Sequence, residues 1–238
     1  MLPLVLIALG VGAMVAGSIG FQRIAPRVRV GRIVAATPLV TIAEARALAA
    51  SGKPRYVGVR GRIDAEEDFE DFAHRPLVLR RTRVEARRHG GWRSFEDSRE
   101  LVPFEIRDGL DAIRVDGRGL DSGLVVVPRE SEGVASDLGE RAPADVAPDT
   151  PVRVIVEQVS AVDRAVVLGV PVMDGTDGPV LTAGLGRPLV LTTLERPEAI
   201  RLLGGGRRAS TLAAGVLLAL GTGLIVGGVV VVLLDLLT

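Results

Sequence analysis

The chain has no cysteine and a single lysine, Lys53, and aromatic residues make up 3% of its 238 positions. Without cysteine, disulfides, thiol catalysis, iron–sulfur clusters and thiolate zinc sites are excluded. Basic and acidic residues number 29 each, so no net field attracts nucleic acid, and we expect no nucleic-acid partner. We also expect no cofactor and no resident metal.

Two long apolar segments, residues 1–21 and 209–234, enclose the charged part of the chain. A helix needs roughly 20 apolar residues to cross about 30 Å of hydrocarbon, and both segments meet this requirement. The first could instead be a secretory signal, but it lacks a basic n-region and a small-residue cleavage site before Gln22. We predict a transmembrane helix at residues 1–21, a polar domain at 22–208 and a second transmembrane helix at 209–234.

The orientation is predicted from arginines that lie at the inner ends of both segments. Within about 15 to 20 residues of a span, such residues mark the cytoplasmic side. We therefore expect the polar domain in the cytoplasm and the protein in the cell membrane; because long loops can cross despite their charge, an extracytoplasmic domain is the alternative. These arginines are Arg23, Arg27, Arg29, Arg32, Arg201, Arg207 and Arg208.

The polar domain has mainly the period of two that is typical of β-strands. Residues 76–88 alternate apolar and polar side chains, His89-Gly90-Gly91 breaks the pattern, and Trp92 begins a return strand, which predicts a hairpin. A bent strand is predicted at residues 55–64. Further strands are predicted at residues 101–106, 112–115, 124–127, 152–159, 165–172 and 189–192.

Few helices are expected in this domain. Thr41 and Glu44 have the spacing of a capping box and predict a helix over residues 41–50, and residues 194–203 predict a second, with Pro197 in its first turn. Residues 129–150 are rich in acids and prolines and are predicted to be a loop or linker. The fold class is thus a membrane protein whose two transmembrane α-helices flank a β-rich (α+β) domain of antiparallel, barrel-like units.

An ordered series of segments resembles a known family. It comprises PRYVGVRGRIDA, RPLVLRRTRVEARR, GGWRSFEDSRELVPFEIRDGLDAIRVD, GERAPADVAPDTPVRVIVEQV and RPLVLTTLERPEAIRLL, followed by the terminal apolar segment. Together they resemble the GIDE domain, also called the beside-a-membrane (BAM) domain, in a prokaryotic-type member. The eukaryotic members are mitochondrial E3 ubiquitin ligases, in which the domain lies between two membrane helices and a RING finger follows the second. The resemblance implies a domain that recognises partners at a membrane.

The sequence departs from the ligases at its end. A RING needs about eight cysteine and histidine ligands, whereas this sequence stops at Thr238 with no cysteine and two histidines. We therefore expect a membrane-tethered partner-binding or scaffolding module without intrinsic catalysis, with the lipid bilayer and an unidentified protein as partners. The alternatives are an E3 ubiquitin ligase-family protein acting with a separate catalytic chain and an envelope-organising structural protein.

The candidate site residues are aromatic or small. Trp92 and Phe104 suit core packing, and they would mark a partner surface if exposed. Ala16 and Gly20 in the first apolar segment, and Gly223 and Gly227 in the second, have the small-xxx-small spacing that brings helices close. We expect these four residues to pair the two helices, and a homo-oligomer is the competing use.

Other local patterns favour ordinary structural roles. The acidic cluster before His74 could suit a hard cation but lacks the spacing of a known calcium loop, so a solvated turn is favoured. Gly117, Gly119 and Gly123 do not have the phosphate-loop spacing. No recognisable motif places a base near Ser122 or Ser160, and His74 and His89 are interpreted as surface residues.

Overall fold

A computed structural model of the protein describes residues 2–88, 90–120, 123–175, 178–204 and 208–237. The side chains of residues 2–4, 21–25, 208–212, 214 and 234–237 lie outside this description. The chain forms two compact units, Met1–Ala35 with Ile200–Thr238, and Ala36–Ala199. The helices are α1 Leu2–Ala36, α2 Ile42–Ala50, α3 Arg196–Gly204 and α4 Arg208–Leu237.

Helix α1 continues fifteen residues beyond the predicted end of the first apolar segment at residue 21. The extension buries Val30, Ile33 and Val34, whose spacing of three and four residues is that of one helix face. Helix α1 thus runs past residue 22, where the polar domain is predicted to begin, and the second compact unit begins at Ala36.

The membrane-span requirement is met by one of the apolar helices. Among the described residues, Gly215–Leu233 is long and apolar enough to cross a bilayer, with a mean hydropathy of 2.7, whereas Val5–Gly20 forms a shorter apolar helix. The length and composition of α4 are thus those of a membrane span.

The described residues of the second unit form twelve strands, whose pairings are antiparallel except for a few parallel ones. The strands are β1 Val57–Asp64, β2 Phe69–Glu70, β3 Pro76–Arg88, β4 Gly91–Leu101, β5 Phe104–Asp108, β6 Asp111–Val115, β7 Leu124–Val125, β8 Arg129–Val134, β9 Pro151–Ser160, β10 Arg164–Met173, β11 Pro179–Thr182 and β12 Val190–Thr192.

Five strands close a small barrel in the order β1-β5-β6-β11-β10, and β10 pairs again with β1. All of its pairings are antiparallel except β6 with β11. Strands β12 and β7 extend the sheet from β10. A five-stranded closed barrel of mixed connectivity is the architecture of the OB class, and its interior is wide enough only for side chains.

Side chains from the barrel strands fill its core, together with one face of α2. Ile63, Ile106, Ile113 and Leu181 are each at most 1% exposed. Helix α2 covers the barrel with Ile42 and Ala45, and its capping box between Thr41 and Glu44 forms as predicted.

Tyr56, just before β1, is buried with its hydroxyl satisfied. The hydroxyl donates to the Pro188 carbonyl at 2.6 Å, and burial raises the pKa of this phenol to about 12.

The other five strands form an open sheet, which we call the second sheet, in the order β2-β3-β9-β8 with β4 also paired to β3. The barrel and the second sheet each take strands from both sides of residues 129–150. The first part of that segment forms β8 and the 3-10 turns of Ala135–Arg141, whereas residues 142–150 form neither helix nor strand, so the predicted loop describes only its second part.

Candidate functional site

The β3–β4 hairpin of the second sheet presents a long open edge. Within the part of the chain that the structure describes, β4 pairs with β3 alone, and none of its residues is buried. Strand β9 occupies the other side of β3 from Leu77 to Ala86. Leu77 of β3 pairs with Ser160 of β9 on one side and with Phe69 of β2 on the other. Strand β2 therefore lies on the same side of β3 as β4. We call the line formed by β2 and β4 the β4 edge.

Oppositely charged residues pair across one face of this sheet. Residues opposite each other in neighbouring strands lie close enough for such pairs to form. The sequence predicts the hairpin but not these pairs, although charged residues at alternate positions are visible in β3, β4 and β9. The nitrogen–oxygen distances are 2.7 Å for Arg81–Asp97, 3.5 Å for Arg83–Glu157 and 2.6 Å for Arg153–Glu85.

Trp92 lies half-buried on this face, next to the turn that joins β3 to β4. The guanidinium carbon of Arg153 is 4.6 Å from the centroid of the Trp92 ring, and the Nε of Arg153 donates to Glu85 at 2.7 Å. Glu85 is only 8% exposed. The indole therefore packs against a partly buried ion pair, and only part of Trp92 is available to a partner.

The charges of this face suit binding better than proton transfer. Hydrogen bonds from Arg81 lower the pKa of Asp97, which holds this carboxyl ionised at neutral pH. A general acid at neutral pH needs the opposite shift, a raised carboxyl pKa. Each described carboxyl group whose pKa departs from its ordinary value is shifted downward. The ionised Asp97 and the other paired charges of this face can thus exchange ion pairs with a partner.

A small pocket lies at the end of this charged face. Its volume is about 190 Å³, below that of ordinary small-molecule sites of about 300–1,000 Å³. The bidentate pairing of Arg81 with Asp97 and the bond from Arg99 to the Gly117 carbonyl already use its polar groups. The lining consists of Arg81, Asp97, Arg99, Leu120 and Leu124.

The acidic cluster before His74 forms a structured turn. The Asp71 carboxylate accepts from the amides of Ala73 and Arg75 and from the Arg75 guanidinium. His74 is exposed and its Nδ1 lies 2.6 Å from Glu70. Among the described residues, no group of three His, Cys, Asp or Glu side chains is placed to hold a metal ion.

The glycines of residues 117–123 have packing roles. A Cβ at Gly123 would lie 1.7 Å from the Leu189 carbonyl oxygen, and one at Gly117 would lie 2.6 Å from the Leu101 side chain. The hydroxyl of Ser160 donates to the Pro76 carbonyl at 2.8 Å. Ser122 and His89 lie outside the described residues.

Phe104 belongs to the interior of the barrel. It is 5% exposed, pairs with Val115 across β5 and β6, and packs in the main hydrophobic cluster. Core packing is therefore confirmed for Phe104, and the alternative that it marks a partner surface is wrong. Trp92 is the only one of the two predicted aromatics that reaches the surface.

The two apolar helices approach through glycines other than those predicted. A Cβ at Gly10 would lie 2.8 Å from the Gly221 carbonyl oxygen, and one at Gly221 would lie 2.7 Å from the Gly10 carbonyl oxygen. Gly223 and Gly227 are exposed, and a Cβ at either would meet nothing within 4 Å. Ala16 is also exposed and Gly20 is half-buried. The predicted pairing of the two helices through Gly223 and Gly227 is thus wrong.

Comparison of the chain with protein-family models, curated proteins and solved structures gives no match.

Proposed function

We propose that the chain is a membrane-tethered module of the GIDE type, which binds a protein partner along the β4 edge. The observation that supports this most directly is the outer side of β4, eleven residues long, with which no strand of the described residues pairs. An open strand edge presents backbone donors and acceptors to which an extended segment of another protein can add as a further strand.

The charged face beside this edge would give the interaction its selectivity. Charged groups across an interface contribute to specificity and association rate more than to affinity. Asp97 and Arg99, on β4 itself, would exchange their bonds to Arg81 and to the Gly117 carbonyl for bonds to side chains of the added strand. The lowered carboxyl pKa values and the small pocket described above favour binding over catalysis at this site.

The tether in this proposal consists of two spans. Helix α4 supplies the longer one, and we propose that the apolar part of α1 supplies the second. The arginines beside the spans favour a cytoplasmic domain; Arg27, Arg29 and Arg32 lie on α1, whereas Arg207 lies outside the described residues. Ubiquitin ligase-family and envelope-organising roles remain the alternatives.

Site-specific photo-crosslinking in the host membrane tests the proposal. A photoreactive amino acid is placed at Ser98 or Glu100, both exposed on β4, and at Ala47, an exposed residue of α2, as the matched control. We expect a discrete protein adduct from the β4 positions and none from Ala47. Equal labelling at all three positions, or no adduct from β4, would overturn binding along this edge.

A further inference from the structure

The charges of the chain are unevenly divided between its two compact units. Residues 1–43 and 199–234 contain no aspartate or glutamate, but they contain seven arginines. The sequence from Ala36 to Ala199 has the opposite excess, with 28 acidic and 22 basic residues. The first unit is thus strongly basic, although the chain as a whole is neutral.

The arginines of the first unit lie next to the apolar helices along the chain. We call residues 22–35 and 200–208 the arginine collar. Within the first unit, a Cβ at Gly31 of α1 would lie 3.6 Å from the Cβ of Leu203 of α3, so these two parts of the collar lie side by side. Arg32 and Arg201, which neighbour this contact in sequence, are both exposed. In the described part of the chain, no side-chain hydrogen bond or ion pair engages either of them.

With the apolar part of α1 in the bilayer, as proposed above, the collar arginines lie close to the lipid headgroups. At 1.5 Å per helical residue, Arg27 lies about 9 Å and Arg32 about 16 Å beyond Phe21, where the apolar part ends. Headgroups occupy about 5–8 Å on each side of the hydrocarbon. Charges act over a further distance of about 8 Å at physiological salt. Lipid phosphates are therefore within electrostatic reach of both arginines.

Exposed apolar side chains alternate with the arginines of the collar. Val28 lies between Arg27 and Arg29 and is 36% exposed, and Leu202 follows Arg201 and is 40% exposed. At a membrane interface, apolar side chains of this kind enter the acyl boundary while neighbouring arginines stay among the headgroups. An acidic protein surface would match the arginines but not the apolar residues, so the combination favours a lipid.

We propose that the arginine collar binds the headgroup phosphates of anionic phospholipids such as phosphatidylglycerol, with Arg32 and Arg201 as its main contacts. A guanidinium group matches a phosphate because its planar donors can form two parallel hydrogen bonds. In a zwitterionic lipid, the ammonium group of the headgroup competes for the phosphate, so the collar selects lipids of net negative charge. The inference rests on the proposed membrane tether and is independent of binding along the β4 edge.

The lipid selectivity of the full chain is the first test. The chain is reconstituted in vesicles of equimolar phosphatidylcholine and phosphatidylglycerol, and electron spin resonance of spin-labelled lipids measures how strongly each lipid associates with it. We expect about a fivefold preference for phosphatidylglycerol at low salt, which falls toward one at high salt because the charges are screened. Equal association of the two lipids at low salt would overturn the proposal.

Replacement of two collar arginines tests which residues carry the selectivity. Arg32→Gln/Arg201→Gln should lose most of the preference, and since glutamine and arginine have similar helix propensities, α1 and α3 should still form. Arg32→Lys/Arg201→Lys keeps the charge and should keep most of the preference. The matched control, Arg62→Gln/Arg164→Gln, removes two exposed arginines of β1 and β10 and should leave the preference unchanged. A preference that survives Arg32→Gln/Arg201→Gln would contradict the collar.

The source of the phosphate is tested by competition. Inorganic phosphate, compared with chloride at the same ionic strength, should leave the preference for phosphatidylglycerol unchanged. A preference lost in phosphate but not in chloride would indicate a site for free phosphate and would overturn a lipid site.

Alkaline extraction of the membranes separates this inference from the proposed function. A chain that is released would overturn the tether and the collar together. A chain that stays inserted but shows no lipid preference would overturn the collar alone, and protein adducts from the β4 positions would then still support the binding function.

Discussion

Arg75 binds the carboxylate of Asp71 from two directions. Its amide donates to Oδ1 at 3.0 Å, while its guanidinium Nε and Nη2 donate to Oδ2 at 2.9 and 2.5 Å. These bonds, the amide bond foremost, lower the pKa of Asp71 from its ordinary value near 3.8 to about 2. The turn that carries Phe72 is thus held by an ionised carboxylate.

The stability of the protein should depend on the ionisation of Asp71. Because its folded pKa lies below the unfolded one, Asp71 stabilises the fold above about pH 4, and this contribution is lost as the pH falls toward 2. We expect Asp71→Asn to lower the Tm at pH 7 and to flatten the dependence of Tm on pH between about 5 and 2. Asp68→Asn, at an exposed neighbour, should change neither quantity.

Gly123 should tolerate no side chain. A Cβ there would lie 1.7 Å from the Leu189 carbonyl oxygen, so β7 and β12 would have to separate. We expect Gly123→Ala to destabilise the protein by about 1–3 kcal/mol in a denaturant titration, the usual cost of forcing extra volume into a packed site. Gly119→Ala is the control, because its Cβ would meet Leu189 at an ordinary 3.5 Å.

The stability effects of replacing Phe104 and Phe72 should distinguish a buried phenylalanine from an exposed one. We expect Phe104→Ala to cost about 3–5 kcal/mol of unfolding free energy, since it removes a buried aromatic side chain. Phe72→Ala, at a fully exposed position, should change stability by less than about 0.5 kcal/mol. Similar losses for both variants would contradict the burial of Phe104.

Some elements could be predicted from the sequence because their signals are local. The capping box of α2 and the period-two alternation of β3 depend only on neighbouring residues, and both elements form. Strand β8 gave no such signal, since all six of its residues are exposed and no apolar alternation is present. The parallel pairing of β6 with β11 joins distant segments, so no local pattern could reveal it.

Pairing across strands explains why the charged face was missed. The ion pairs of Arg81, Arg83 and Arg153 depend on the register of three strands. The β3–β4 register shifts between Val84 and Glu85, and the β3–β9 register shifts between Leu77 and Leu79. Register follows from the turn and from the buried face of a sheet.

The predicted strand 101–106 is interrupted after Leu101. The Val102 amide donates to the Val78 carbonyl, and Pro103 has no amide hydrogen with which to continue a strand pairing.

The contact between Arg153 and Trp92 can be followed optically, because Trp92 is the only tryptophan in the chain. Replacing Arg153 with methionine removes the cation over the indole and leaves Glu85 without that partner. We expect a loss of about 1–3 kcal/mol in stability, together with a shifted Trp92 emission maximum in the folded state. Arg187→Met, beside Tyr56 in the barrel, is the control and should leave the emission unchanged.

The orientation of the domain can be measured with a single introduced cysteine, because the chain has none of its own. Ser98 is exposed on β4, so the Ser98→Cys variant presents its thiol to solvent without disturbing the core. If the arginines beside the spans lie on the cytoplasmic side, a membrane-impermeant maleimide should label this thiol only after the cells are opened. Labelling of intact cells to the same extent would place the β4 edge outside the cytoplasm and, with it, any partner that binds there.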